Sequence, residues 1–237
     1  MKMKKLLTVL GFMISLNSCG NELIEYGNGD IKVTIEKGDE WLHKFHLFTG
    51  INIKNPPQVA IWVEDMSGNF ITSVYVSYKT AKSSWRANKG NRRKEALPVW
   101  CYARGIQYPD GLYLPTKDEP VADAVTGATP RGSFDVKIQT VGALRQFVLK
   151  VELNHSTDWN NNFPENAKEG DANYGSESGQ PSVVYAATIE LDTDRKQYTA
   201  SLIGHGSPDG SDGNIYPDTS LLTSSLKIVK QIIITIQ

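Results

Sequence analysis

The sequence predicts an all-β protein built as a two-sheet sandwich with long irregular loops. Three observations predict it. Short runs of alternating apolar and polar residues recur along the chain, the period-two signature of half-buried strands. Clusters of Gly, Asn, Asp and Pro punctuate those runs. Long helical periodicity and internal repeats are not visible after the first twenty residues, so many short strands must pack as layers around a core.

With 237 residues and a formal charge of −1, the chain is long enough for a real core, and nothing in its charge suggests nucleic acid. The first segment is a targeting signal. Lys2, Lys4 and Lys5 precede an apolar stretch, Leu6 to Leu16, that is too short to span a bilayer. Leu16-Asn17-Ser18-Cys19 follows and resembles a bacterial lipoprotein box, which implies lipidation of Cys19; an ordinary signal peptide is the alternative. Residues 1–18 are thus expected to be removed, 19–30 to form a tether, and 31–237 to form one domain. Removing the three lysines moves the formal charge from −1 to −4. With Cys19 lipidated, Cys101 is the remaining thiol, and its flanking Trp100 and Tyr102 suggest a buried, inert side chain.

Ile31, Val33 and Ile35 alternate with Lys32, Thr34 and Glu36, giving a half-buried strand. Val59 to Val63 is apolar on both parities, as a central strand would be. The turn Asp65-Met66-Ser67-Gly68-Asn69 joins it to Phe70–Tyr78, where Phe70, Val74, Val76 and Tyr78 share a parity, so the two make a hairpin. Residues 79–132 are irregular. Lys79 to Leu97 has room for a short helix and carries Lys79, Lys82, Arg86, Lys89, Arg92, Arg93 and Lys94, a charge run that reads as a solvated face. Leu97 to Trp100 reads as an extended anchor. Phe134–Ile138 and Phe147–Leu153 alternate cleanly with Gly142 between them, which predicts a second hairpin. Asn154 to Ser182 is a long polar loop of the kind that is often functional. Val183–Leu191, Gln197–Ile203 and Leu226–Ile236 complete the strands.

One stretch carries chemistry. Asp123-Ala124-Val125-Thr126-Gly127-Ala128-Thr129 fits D-x-x-[ST]-G-A-[ST], with Thr126 and Thr129 as the two hydroxyls. Thr129 offers an oxygen nucleophile that needs an activating base or metal. Gly127 can take a positive φ and has no side chain to block an approaching active site; Ala128 is small. Pro130 biases Thr129 toward extended geometry and an open loop. Asp123 could orient the loop or contact a metal carried by an approaching active site. The same residues also make Asx- and ST-turns that do no chemistry.

Other constellations are weaker. His43 and His46 form an H-x-x-H pair that a strand would split between two faces. His155 and His205 fall in loops, so a histidine metal site lacks assembled ligands. Asp209, Asp212 and Asp218 lie in a Gly-containing loop without EF-hand spacing, and tight turns account for them. Trp100, Tyr102, Tyr108 and Tyr113 could stack on an aromatic cofactor, but core positions fit them better. Hydrolase and nucleotide-binding fingerprints are not present in the sequence.

The motif resembles the acceptor site at which an FAD:protein FMN transferase attaches FMN to secreted proteins, which implies a phosphoester between Thr129 and the flavin phosphate. Asp123, Thr126, Gly127 and Ala128 would frame that site. Pro57 to Asp65, Leu97 to Trp100, and Asp123 to Pro130 with the strand after it are also similar to the periplasmic family called domain of unknown function 2271, over most of residues 31–153. Members of that family often continue from the motif into Trp-Asp-Gly, where this chain reads Phe134-Asp135-Val136. The resemblance implies an immunoglobulin-like β-sandwich in the cell envelope, lipid-anchored in the periplasm or at the surface. It also implies a PepSY-like membrane redox partner, and a flavin that nearby cations could stabilise when reduced. In that reading the chain is an electron carrier, a substrate of the transferase without catalytic residues of its own. The alternative is a binding module without cofactor, whose loops 154–182 and 204–218 contact a glycan, a peptide or a partner protein.

Overall fold

The computed structural model describes residues 23–46, 52–84, 92–122, 124–140 and 144–237. Cys19 and Asp123 lie outside the described residues. The chain forms an all-β sandwich. One sheet has the order β1 (Ile24–Gly27), β8 (Phe134–Ile138), β2 (Ile31–Lys37), β13 (Val229–Ile236), β11 (Gln197–Thr199). The other runs β12 (Ser201–His205), β10 (Val183–Glu190), β9 (Gln146–Asn154), β5 (Gln58–Glu64), β6 (Phe70–Ser77), β7 (Val125–Gly127). A ribbon of β3 (His43–His46) and β4 (Asn52–Asn55) stands apart from both.

Period-two alternation builds the core. Ile31, Val33 and Ile35 of β2 and Phe134 and Val136 of β8 meet Val59, Ile61 and Val63 of β5 and Phe147, Leu149 and Val151 of β9. The six-stranded sheet is also covered on its outer face. Ala60, Trp62, Val76 and Val184 point outward into a second apolar cluster with Leu97, Val99, Trp100 and Leu114. That second layer explains why β5 is apolar on both parities.

Four sequence-based expectations are corrected. The parity expected for Phe70–Tyr78 breaks at a bulge: Ile61 pairs with Tyr75 but Trp62 with Ser73, so Val74 is the extra residue. Val74 and Tyr75 both enter the inner core, and Val76 faces out. The second hairpin does not form. β8 pairs with β1 and β2, whereas β9 pairs with β5 and β10 in the opposite sheet. Leu97–Trp100 is not extended; Pro98–Ala103 is helix α2, with Pro98 in the first turn, where its missing N–H costs nothing. Gln197–Ile203 is two strands, which leave Ala200 for different sheets. The expected short helix is α1 (Tyr78–Ala81).

The segment read as a tether contributes a strand. β1 pairs in parallel with β8, Ile24 opposite Phe134 and Gly27 opposite Lys137. β1 and β7 are therefore the edge strands on one side of the sandwich, and β11 and β12 those on the other.

Candidate functional site

The motif closes the β1/β7 edge. Val125–Gly127 is a short strand parallel to the end of β6, with Val76 opposite Thr126 and Ser77 opposite Gly127. Half of the expected open loop is thus paired, because β6 offers an unoccupied edge to any adjacent extended segment. Beyond it the chain turns toward β8, and three side-chain donors take its carbonyls. Tyr75 OH donates to Gly127 O at 3.3 Å, Tyr26 OH to Ala128 O at 3.0 Å, and Trp41 Nε1 to Pro130 O at 3.0 Å. Each bond satisfies a backbone acceptor that the short strand leaves open.

Gly127 does not take a positive φ. Its missing side chain serves a close approach instead: a Cβ there would lie 2.9 Å from Tyr26 Cε1. Tyr26 itself packs on Tyr75, with ring centroids 5.2 Å apart, and edge-on to Phe134. The glycine of the motif is thus the seat of a ring from the N-terminal strand.

Thr129 is half-buried and Ala128 is exposed. Thr129 Oγ1 lies 2.7 Å from Ser77 Oγ, which also accepts the Val59 N–H at 2.8 Å. A hydroxyl has one proton and two lone pairs, so Ser77 can still donate to Thr129 or accept from it. Tyr26 and Tyr75 remain neutral, because burial pushes both phenols above their ordinary value; the neighbouring Tyr26 adds to the effect on Tyr75. The contacts described around Thr129 therefore include no base, and activation of its hydroxyl falls to whatever approaches from outside.

Two residues past Ser77, Lys79 borders a cavity of about 30 Å³ with His43, Gln58, His155 and Ser156, room for a water or two. The His43 and His155 rings lie 5.3 Å apart. Burial, with His43 adding to it, pushes His155 down to about 3, so its ring is neutral and its Nε2 meets Glu40 O at 2.9 Å. Asp158 lies near His43, Nδ1 to Oδ1 3.8 Å. Its Oδ1 also accepts from Ser224 Oγ at 2.5 Å, and burial raises its carboxyl. Among the described residues no group of three or more metal-ligating side chains converges. The side chain of His46 lies outside the described residues. His205 ends β12 rather than sitting in a loop, and its ring stacks on Tyr216.

The cationic run is not uniformly solvated. Arg93 is buried, with Nε on Glu95 Oε1 at 3.0 Å and Nη2 on Ser178 Oγ at 2.6 Å, and it also meets Ser156. Arg92 pairs with Asp110. Trp100 and Tyr108 are core, and Trp100 Nε1 donates to Ser73 Oγ at 3.0 Å. Tyr102 and Tyr113 stack on each other with centroids 4.2 Å apart. Cys101 is buried, as expected, and burial raises its thiol. Asp209 Oδ1 accepts Ser211 N–H at 3.0 Å, Asp212 Oδ1 accepts Asn214 N–H at 2.8 Å, and Asp218 Oδ1 accepts Ser220 N–H at 3.0 Å, the bonds of Asx-turns.

Sequence reasoning missed Ser77, Tyr26, Tyr75 and Trp41, the shell that orients the motif. No local signal could have found them, since Ser77 is 52 positions from Thr129 and Tyr26 is 102 from Ala128. No protein-family model, curated protein or solved structure matches the chain. The family resemblance rests on the segments quoted above.

Proposed function

We propose that this protein is a lipid-anchored electron carrier of the bacterial cell envelope that holds FMN covalently on Thr129. The observation that supports the reading is the setting of that hydroxyl. The residue is half-buried two positions beyond the β7 edge strand, next to an exposed Ala128, and its described contacts include no base. Those features fit an acceptor that a separate enzyme must reach and activate. In the transfer, Thr129 Oγ forms a bond to the flavin-side phosphorus of FAD, the pyrophosphate bond breaks and AMP leaves. The threonine proton passes to the transferase. Thr126, Gly127 and Ala128 shape the approach, and Asp123 precedes them in the motif. Ser77 must release Thr129 before the hydroxyl can turn outward. Once attached, FMN supplies the redox chemistry, and the chain supplies placement and electrostatics. A PepSY-like membrane protein is the proposed redox partner.

The test is coexpression with an FAD:protein FMN transferase, followed by denaturation and mass analysis. The expected result is retained yellow colour and an FMN-sized mass increase on the Thr129 peptide, both lost in Thr129→Ala. A colourless, unmodified wild-type chain would reject the carrier reading.

A second reading, a cofactor-free binding module, draws on the order of residues 154–182. Asn160 Oδ1 accepts the Asn162 and Phe163 N–H groups, both at 2.8 Å, and Asn160 and Asn162 both donate to Leu221 O. Such a pre-ordered polar surface suits a glycan or peptide. Glycan-array or peptide-array binding by unmodified protein would favour it.

A further inference from the structure

Leu23, just before β1, and Ile24, its first residue, are large aliphatic side chains 41% and 55% exposed. Val125, 37% exposed, sits on the neighbouring edge strand β7, with its Cγ2 3.7 Å from where a Cβ on Gly27 would lie. Three exposed aliphatics therefore share one edge of the sandwich with the exposed Ala128. Scattered single apolar residues need no explanation, but a group on a strand edge does. The chain itself points to what covers them. Cys19 lies five positions before Ile24, and five extended steps reach at most ~18 Å.

We propose that the β1/β7 edge rests against the surface of the lipid bilayer, which makes the Thr129 side of the sandwich the membrane-facing side. This rests on the lipid-anchor part of the reading above. The far edge, β11 and β12, lies four or five strand spacings away, or roughly 19–24 Å. A lipid on Cys19 holds the near edge within reach of the headgroups. Leu23, Ile24 and Val125 then gain apolar contact at the interface. Tyr26 transmits the placement to the motif, since its ring seats on Gly127 and its hydroxyl holds the Ala128 carbonyl at 3.0 Å. A group esterified to Thr129 is thereby kept near the bilayer.

The experiment uses the full chain, lipidated in its host and reconstituted into phosphatidylethanolamine–phosphatidylglycerol vesicles that carry a headgroup nitroxide. A fluorophore is placed at Val125→Cys or, separately, at Leu202→Cys on β12; Cys101 is buried and stays unlabelled. Glu25→Cys on β1 serves as a second near-edge site should Val125→Cys fold poorly. The expected result is quenching roughly two- to threefold stronger at the near edge than at Leu202→Cys, given the ~20 Å between the edges. Leu23→Ser with Ile24→Ser should reduce the near-edge quenching. Equal quenching at the two edges, or stronger quenching at Leu202→Cys, overturns the proposal. So does near-edge protection that persists without lipid and tracks a dimeric mass, which would assign the patch to a second copy of the chain. A chain that carries no lipid and does not partition into vesicles overturns both the anchor and this orientation. The readout needs no flavin, so it stands or falls separately from the adduct on Thr129.

Discussion

The two faces of the six-stranded sheet solve the same burial problem differently. On the inner face β5, β9 and β10 present aliphatic and aromatic side chains to the opposing sheet. On the outer face the same strands present Trp62 and Val184 together with Glu64, Lys150, Glu152 and Asn154. The inner face needs only complementary volume, and the alternating pattern supplies it. The outer face is covered by irregular chain and a six-residue helix, which bring unpaired backbone groups inward. Glu152 answers that need. Its carboxylate accepts the Val99 and Trp100 N–H groups at 3.2 and 2.8 Å and the Ser182 hydroxyl at 2.5 Å, so a strand residue does the work of the missing N-cap at Leu97. At Glu152, then, a buried charge marks a place where backbone had to be brought inside, whereas the buried Glu64 bonds only side chains, Trp62 and Lys150.

Leu149→Ala, in the middle of the inner face, should cost about 2–5 kcal/mol in urea unfolding, with the fold retained. A loss under about 1 kcal/mol would mean that the inner layer is not the main source of stability. Glu152→Ala should cost roughly 1–3 kcal/mol, because it leaves two buried N–H groups unpaired. It should also loosen α2 selectively, seen as faster amide exchange at Val99 and Trp100; unchanged exchange there would break the capping argument.

The pH dependence sharpens the contrast further. Burial pushes Glu152 up to about 7 from 4.5, with its three hydrogen bonds opposing the shift. A carboxyl whose folded value is raised binds more protons in the folded state, so its contribution is full below about 4.5 and is lost as the pH rises through about 7. His155 runs the other way. Its folded value is lowered to about 3 from 6.5, so its contribution is present above 6.5 and lost as the pH falls through 3. The two oppose each other between 4.5 and 6.5. In Glu152→Gln, stability relative to wild type should therefore improve as the pH rises from 5 to 8, read from urea midpoints across the range. A constant offset between the two proteins would show that Glu152 does not titrate in that window. The smallest effect is expected from the paired change Glu64→Gln with Lys150→Met, which removes a 2.7 Å ion pair but leaves an acceptor for the Trp62 indole. It should shift stability by less than about 1 kcal/mol, whereas Lys150→Met alone strands the Glu64 carboxylate and should cost more.

Much of the fold was legible in the sequence where the information is local. The inward residues of β2, β8 and β9 follow from period-two alternation. The β5–β6 hairpin follows from its turn, where Asp65 Oδ1 accepts the Ser67 and Asn69 N–H groups at 2.8 and 2.9 Å. That β8 and β9 lie in opposite sheets was not legible, because two alternating segments joined by a short connection can share a sheet or face each other across the core. Helix α2 was missed because its cap is 53 positions away from Val99. The candidate site divides the same way. The motif could be read from its seven residues, but the ring that occupies the space above Gly127 and the hydroxyl that holds Thr129 could not.

Residues a few positions apart already announce which side chains seek the interior and which short stretch fits D-x-x-[ST]-G-A-[ST]. Which strands pair, the seating of β1 on the motif and the contact of the Thr129 hydroxyl with Ser77 emerge only in three dimensions. Those outcomes join positions 52 and 102 apart in the chain, and such contacts are settled by the packing of the whole sandwich rather than by any local preference.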